Sequence, residues 1–298
     1  MESGGDVHEC VIKGRFRTQG IRTTNPIAVG DKVEFRPGEE GHPGLITKIH
    51  DRKNYIIRKS VNLSHEAHII ASNLDKAVLV ATIARPRTST GFIDRFLVTA
   101  EAYDIPAVVL FNKADTYNEA ELEEVEFLMT VYRDIGYEAF LVSSFDQQDQ
   151  AFVTEMLRDK ITLFSGHSGV GKSTLANEVA GLDLRTGDIS DAHEKGQHTT
   201  TFAEMFPLPF GGYLVDTPGI KGFGMVDMEA EDVPNYFREM HELLPDCKFN
   251  NCRHLQEPGC AVQKALDKGY IAAFRYNSYL SILEDLENQE NYRKHKYK

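Results

Sequence analysis

Gly166-His167-Ser168-Gly169-Val170-Gly171-Lys172-Ser173 decides how this chain is read. It follows a short apolar run, Ile161-Thr162-Leu163-Phe164-Ser165, and opens onto Thr174-Leu175-Ala176-Asn177-Glu178-Val179, a good helix former. Strand, glycine-rich turn and helix form the context in which G-x-x-x-x-G-K-[ST] holds phosphate. The glycines let successive backbone N–H groups converge on an anion, and the helix N-terminus adds partial positive charge. Lys172 would reach the β- and γ-phosphates, and the Ser173 hydroxyl would ligate Mg²⁺. Residues Gly166 to Thr174 are therefore expected to bind a nucleoside triphosphate. A chance glycine-rich turn would lack the two flanking elements.

Upstream, Lys76–Ile83 is a continuous apolar run of the kind buried in parallel sheets, and a helical pattern follows from Phe92 to Tyr103. A second strand, Pro106–Phe111, runs directly into Asn112-Lys113-Ala114-Asp115. N-K-x-D at a strand's end is the guanine reader of GTPases. The Asp115 carboxylate can accept from both guanine N1–H and the exocyclic amine, and adenine would leave it unpaired. Asn112 would hold this loop against the phosphate loop, and the Lys113 stem would cover the base. Glu119–Ile135 reads as an acidic helix, Ala139–Ser143 as a strand and Phe152–Lys160 as a helix. Ser143-Ser144 stands where a backbone N–H would approach the guanine O6, or where a strand simply ends.

The order is reversed from the ordinary one, because the guanine reader precedes the phosphate loop. That is the pattern of a circularly permuted GTPase, tolerable where chain ends and loops lie at the surface. Both switch segments then follow the phosphate loop. Lys195-Gly196-Gln197-His198-Thr199-Thr200-Thr201 is a polar stretch in which Thr200 is expected to ligate Mg²⁺ and meet the γ-phosphate. Tyr213-Leu214-Val215-Asp216-Thr217-Pro218-Gly219 ends in D-x-x-G, so Asp216 would hold Mg²⁺ through water and the Gly219 N–H would contact the γ-phosphate. Where many GTPases carry a water-orienting Gln, this chain has Ile220. Intrinsic hydrolysis should be slow. His198 could position the water if a partner ordered its loop, or be an exposed loop histidine. His167 reads as a spacer. The catalytic assignment is Lys172, Thr200 and His198.

Near the carboxyl end, Cys247, Cys252, His254 and Cys260 fall within fourteen residues. Three thiolates and an imidazole complete a tetrahedral Zn²⁺ shell with no open position, which predicts one structural zinc per chain. Helices are expected over 262–268 and 272–287, then a basic tail from Tyr292 to Lys298.

The amino-terminal part reads as β. Strands are expected over 9–16, 31–35, 45–49 and 55–58, separated by Asn25-Pro26, Pro37-Gly38 and Pro43-Gly44. That suggests a small OB-like barrel with its first strand shortened or missing, followed by a linker over 60–73. Lys13, Arg15, Arg17, Arg22, Arg52, Lys53, Arg58 and Lys59 are interleaved with Phe16, Phe35 and Tyr55. The mixture suits RNA binding, and equally a solvated barrel surface.

A net charge of −12 opposes a general nucleic-acid binder, yet through Ala71 there are 11 Lys+Arg against 9 Asp+Glu. Any RNA contact should favour that part. No apolar run is long enough to cross a bilayer and no export signal is seen, so no membrane contact and a cytoplasmic site are expected.

Together these residues closely resemble the RsgA (YjeQ) family of ribosome small-subunit-dependent GTPases. The motifs carrying the resemblance are Asn112–Asp115, Gly166–Ser173, His198–Thr201, Asp216–Gly219 and the Cys247–Cys260 cluster. The resemblance covers essentially the whole chain. It implies three parts: an OB-like RNA-binding domain over 1–66, a circularly permuted α/β P-loop GTPase over 67–227 and an α-helical zinc-binding domain over 228–298. It also implies GTP hydrolysis to GDP stimulated by the small ribosomal subunit, late maturation of that subunit and contact with 16S rRNA by a monomer. A GTP-dependent ribosome-binding module with little turnover is the alternative that Ile220 keeps open.

Overall fold

The computed structural model describes residues 1–12, 26–39, 42–59, 67–182, 184, 203–216 and 228–296. Gly4 and Gly5, at φ 61° and 92°, turn strand β1 (Glu2–Ser3) back onto β2 (Asp6–Val7). The sequence left no room for a strand ahead of Glu9, but a glycine pair supplies this turn at little steric cost. Tyr213 ties the hairpin down, its hydroxyl donating to Glu2 Oε2 at 2.7 Å.

Strands β3 (Cys10–Ile12), β4 (Val33–Arg36) and β5 (Gly44–Ile49) form a sheet in the order β3-β5-β4. Strand β6 (Tyr55–Lys59) pairs antiparallel with β7 (Ala67–Ser72). The second half of the expected linker is thus a strand. It escapes the alternation test because Ile69, Ala71 and Ser72 are all buried. With β7 the amino-terminal part contains, among the described residues, five barrel-like strands from β3 to β7, besides the two-residue strands β1 and β2 ahead of Glu9. The expected strand over 9–16 is seen as Cys10–Ile12, and 13–16 lie outside the described residues.

From β8 (Lys76–Ala81) the chain alternates strand and helix: α1 (Thr90–Ala102), β9 (Ala107–Phe111), α2 (Glu119–Asp134), β10 (Glu138–Leu141), α3 (Gln147–Leu157), β11 (Lys160–Ser165) and α4 (Lys172–Ala180). Strands β12 (Glu204–Pro207) and β13 (Gly212–Asp216) complete a sheet ordered β10-β9-β8-β11-β13-β12. All its neighbours are parallel except β12, which runs antiparallel to β13. Ala77, Leu79 and Ala81 of β8 pack with α1 and α2, whereas Val78 and Val80 pack with α3 and α4. Both faces are covered, which is why the strand reads as unbroken apolar sequence. Helix α3 starts five residues earlier than expected and ends at Leu157. The Asp146 carboxylate caps it by accepting from the Gln148 and Asp149 N–H groups, and Asp159 turns into β11 at φ 55°. Its polar first turn, Gln147-Gln148-Asp149-Gln150, concealed it.

The chain enters this sheet at β8, walks outward to β10, then returns to β11 on the other side of β8. The strand order therefore reverses between β8 and β11, where parallel sheets open a crevice at their carboxyl ends.

The carboxyl-terminal part contains a helix over Ala261–Asp267 and a long one over Ala273–Lys296, which runs beyond the expected 287 into the basic tail. It docks on α1. Arg275, 1% exposed, donates to Asp94 Oδ1 at 2.7 Å and to Glu239 Oε1 at 2.7 Å, and the Tyr132 hydroxyl donates to Asp94 at 2.9 Å. Burial drives the Asp94 carboxyl upward against the pull of Arg275. Removing one member of such a buried group costs about 3–5 kcal/mol, because it leaves a buried charge uncompensated.

Candidate functional site

The loop between β11 and α4 lies at the reversal point of the sheet. Gly166, at φ 143°, passes so close to β8 that a β-carbon there would strike the Val80 carbonyl. Gly171, at φ 94°, begins α4, and a β-carbon there would strike the Asn112 amide. Both positions require glycine. No side chain caps the N-terminus of α4, so its first-turn N–H groups point into the crevice, with Ser173 and Thr174 half-buried beside them. Ser168 and Gly169 are exposed and Val170 is buried. Lys172 Nζ donates to the carbonyls of Gly166 and His167, both at 2.7 Å. Burial holds its pKa down to about 8, with the Asp216 charge opposing. The His167 ring packs on Phe92 of α1 with centroids 3.9 Å apart, and burial together with Lys172 lowers its pKa.

The candidate guanine-reading segment, Asn112 to Asp115, is stitched to this loop. Asn112 is 1% exposed at the end of β9, and its Nδ2 donates to the Val170 carbonyl at 3.0 Å. Its Oδ1 accepts from Ser144 Oγ at 3.0 Å and its carbonyl from the Tyr117 hydroxyl at 2.6 Å. Lys113 adopts φ 69° and sends Nζ to the Arg85 carbonyl at 2.7 Å. Asp115 is exposed, and its Oδ1 accepts from Ser143 Oγ at 2.6 Å. The Ser143 N–H donates to Asp149 Oδ2 at 2.8 Å, which leaves the Ser144 N–H as the one of the pair for the expected approach to the base. Ser143 and Ser144 also contribute a pair of hydroxyls that orient Asp115 and Asn112. Asp216 ends β13, level with Phe164 of β11, and is half-buried. His198, Thr200, Gly219 and Ile220 lie outside the described residues.

At the other end of the molecule Cys247, Cys252, His254 and Cys260 are all buried, with their donor atoms within 4.8 Å of one another. His254 Nδ1 lies 3.3 Å from Cys260 Sγ and 3.7 Å from Cys247 Sγ. Tetrahedral arms of about 2.3 Å to sulfur and about 2.0 Å to nitrogen would separate the imidazole nitrogen from each sulfur by about 3.5 Å, so these distances fit a shared metal ion. The backbone N–H of Ala261 points at Cys247 Sγ and that of Gln263 at Cys260 Sγ, each at 3.4 Å, an arrangement suited to thiolates. Burial pushes the Cys252 thiol up to about 12 and raises that of Cys260, while it lowers the His254 imidazole. A bound cation is what would turn such thiols into thiolates. Among the described residues no other group of three or more His, Cys, Asp or Glu side chains is gathered in this way.

The comparisons with known proteins agree with this geometry. The model of the RsgA GTPase family matches residues 49–226. The small ribosomal subunit biogenesis GTPase RsgA of Bacteroides fragilis is 55% identical over 284 residues, 95% of this chain and 91% of its own. That of Flavobacterium psychrophilum is 56% identical over 292 residues, 97% and 89% of the two chains. The chain belongs to the RsgA GTPase family. Among solved structures, YjeQ from Thermotoga maritima superposes with a TM-score of 0.76 at 35% identity, over 96% of this chain and 92% of that one. YloQ, a circularly permuted GTPase, does so with a TM-score of 0.70 at 31% identity, over 95% and 88%. As an RsgA-family member the chain is a GTP hydrolase, and the passage of the chain through the reader before the phosphate loop is the permutation itself.

Three parts of this RsgA-family site were missed in the sequence. Tyr117 donates to the Asn112 carbonyl and accepts from the Ile83 N–H at 3.2 Å, and no motif in the sequence marks it. The segment after β8 brings Arg85 to Lys113 and Pro86 to within van der Waals reach of Gly169. Phe92 supports His167 from the start of α1. None stands near the motifs in sequence, except Tyr117, two residues past Asp115. No helix of the described residues is long and apolar enough to cross a membrane.

Proposed function

We propose that this GTPase binds the small ribosomal subunit in its GTP form, assists the late maturation of that subunit and leaves after hydrolysis. The observation that carries the reading is the bond from Asn112 to the Val170 carbonyl, which joins a guanine-reading loop to a phosphate loop across 58 residues of chain. The names of the relatives supply the ribosomal context.

Asp115 takes the guanine edge, the Lys113 stem covers a face of the base, and the N–H groups of Gly166 to Thr174 hold the phosphates. Water attacks the γ-phosphorus in line with the departing GDP oxygen. Lys172 neutralises charge on the β- and γ-oxygens, and the Gly219 N–H contacts the γ-phosphate. Ser173, Thr200 and Asp216 would hold the Mg²⁺ that accompanies GTP, whose chemistry there is further neutralisation of phosphate charge. Ile220 offers the water no hydrogen bond, so the subunit has to order the segment carrying Thr200 and His198. His198 then positions the water.

The metal in the Cys247, Cys252, His254 and Cys260 cluster is read as one structural Zn²⁺ per chain, since four protein ligands leave no position for substrate. The division into 1–66, 67–227 and 228–298 assigns 16S rRNA contact to the first part. Arg52 and Lys53 are already paired, with Asp31 and Asp75, which leaves exposed Lys32 and Arg36 as the better RNA contacts among the described residues. A cytoplasmic monomer follows from this reading.

The test is GTP turnover with and without purified small subunits. Turnover should rise by more than about tenfold with the subunit, a loss of barrier above about 1.4 kcal/mol. Unchanged turnover with intact GTP binding would favour the binding module. Asp115→Asn should loosen the preference for GTP over ATP, and undiminished preference would remove Asp115 from its assignment.

A further inference from the structure

Helix α1 is held at three places along its 13 residues, a length of about 20 Å. Its first turn meets the phosphate loop, where the Phe92 ring packs on His167. Two and three residues later, Asp94 and Arg95 hold the long carboxyl-terminal helix. Asp94 accepts from Arg275, and Arg95 donates to Ser281 Oγ at 3.0 Å and to Asp285 Oδ2 at 2.5 Å. Val98 of α1 lies in the core of that carboxyl-terminal part. The far end of the helix meets the amino-terminal strands. The Asp104 carbonyl accepts from Asn54 Nδ2 at 3.1 Å, and the Tyr103 ring packs on Tyr55 of β6 with centroids 6.0 Å apart. Ile56 of β6 shares one core with Ile93 and Leu97 of α1.

A helix moves as one piece, and close-packed contacts pass a displacement on. Less than one turn separates Phe92 from the Asp94–Arg275 pair, which is buried and costly to part. We propose that α1 couples nucleotide at the phosphate loop to the docking of the parts on either side, with Phe92 as the positioning residue at the loop end. The proposal rests on Gly166 to Thr174 as the phosphate site. A partner that grips either outer part would thereby act on the loop without touching it. Contacts that only hold the chain together would contribute independently of one another, and this difference is measurable.

Hydrogen exchange of the full-length protein with Mg²⁺, with and without saturating GDP, reads the coupling. In the parent, GDP should slow exchange over 166–175, and also over 275–287 and 54–57, by about threefold or more. In Phe92→Ala, with GDP saturation confirmed by calorimetry, the loop should still be protected and the two outer segments should not respond. Phe92→Leu, which keeps apolar bulk but cannot stack, should behave like the alanine variant, and Phe92→Tyr should restore the response. By reciprocity, Arg95→Ala should weaken GDP by about 3- to 10-fold in the parent and by less than about 1.5-fold in the Phe92→Ala background. Outer segments that ignore GDP while the loop is protected would overturn the proposal. So would an outer response that survives in Phe92→Ala and Phe92→Leu, or an Arg95→Ala effect equal in both backgrounds. Failure of the underlying reading looks different: GDP would then bind by calorimetry and leave 166–175 unprotected.

Discussion

The guanine reader and the cysteine cluster are both gatherings of polar side chains on loops, yet they are built on opposite principles. In the reader, protein groups satisfy one another: Ser143 with Asp115, Ser144 and Val170 with Asn112, Tyr117 with the Asn112 carbonyl. The loop is shaped before any ligand arrives. In the cluster, three thiols and an imidazole face each other at the centre of a core, with burial opposing their ionisation. Thiolates in such a core need a positive charge, which a bound cation would supply. On the proposed reading, one site is preorganised for a ligand that comes and goes, whereas the other would be completed by a ligand that stays.

This contrast breaks most visibly under metal removal. Chelation, or Cys252→Ala, should lower the melting temperature by more than about 10 °C and unfold the carboxyl-terminal helices, because structural metal binding is folding free energy. Thermal melts by circular dichroism check this, and an unchanged curve would make the cluster a set of ordinary core residues. Nucleotide removal should have no comparable effect on helix content.

Ser143→Ala sharpens the other side. It removes a hydrogen bond to a carboxylate, so GDP and GTP affinity should fall by about 10- to 100-fold while the melting temperature moves by less than about 3 °C. Calorimetry beside a melt separates the two. A large loss of stability without a loss of affinity would place Ser143 in the fold rather than in the reader.

The smallest expected effect is a pH dependence. Burial holds the Lys172 pKa down to about 8, so the free protein loses this charge as the pH rises through that value. Phosphate favours the ammonium form. GDP affinity should therefore decline above pH 8, with proton uptake on binding, and Lys172→Met should abolish the uptake. Calorimetry in buffers of different ionisation enthalpy measures it. The cluster, with its ligand resident, should show no such step over the same range.

What the residues determined alone was chemistry that is local in the chain. Gly166 and Gly171 are legible because their roles are backbone conformation and close approach, for which a single residue type suffices. The four metal donors are legible because fourteen residues suffice to bring them together. The unbroken apolar run of β8 announces a strand covered on both faces. Strand β7 and the start of α3 were not legible, since each owes its form to burial or to a single cap rather than to a period. Only the tertiary structure could decide which polar groups meet at long range. Asn112 finds Val170 because β9 and β11 flank β8, Ser143 finds Asp115 because β10 lies beside β9, and Arg275 finds Asp94 across 181 residues. Such bonds are selected by the order of strands in the sheet, a property that no window of sequence contains.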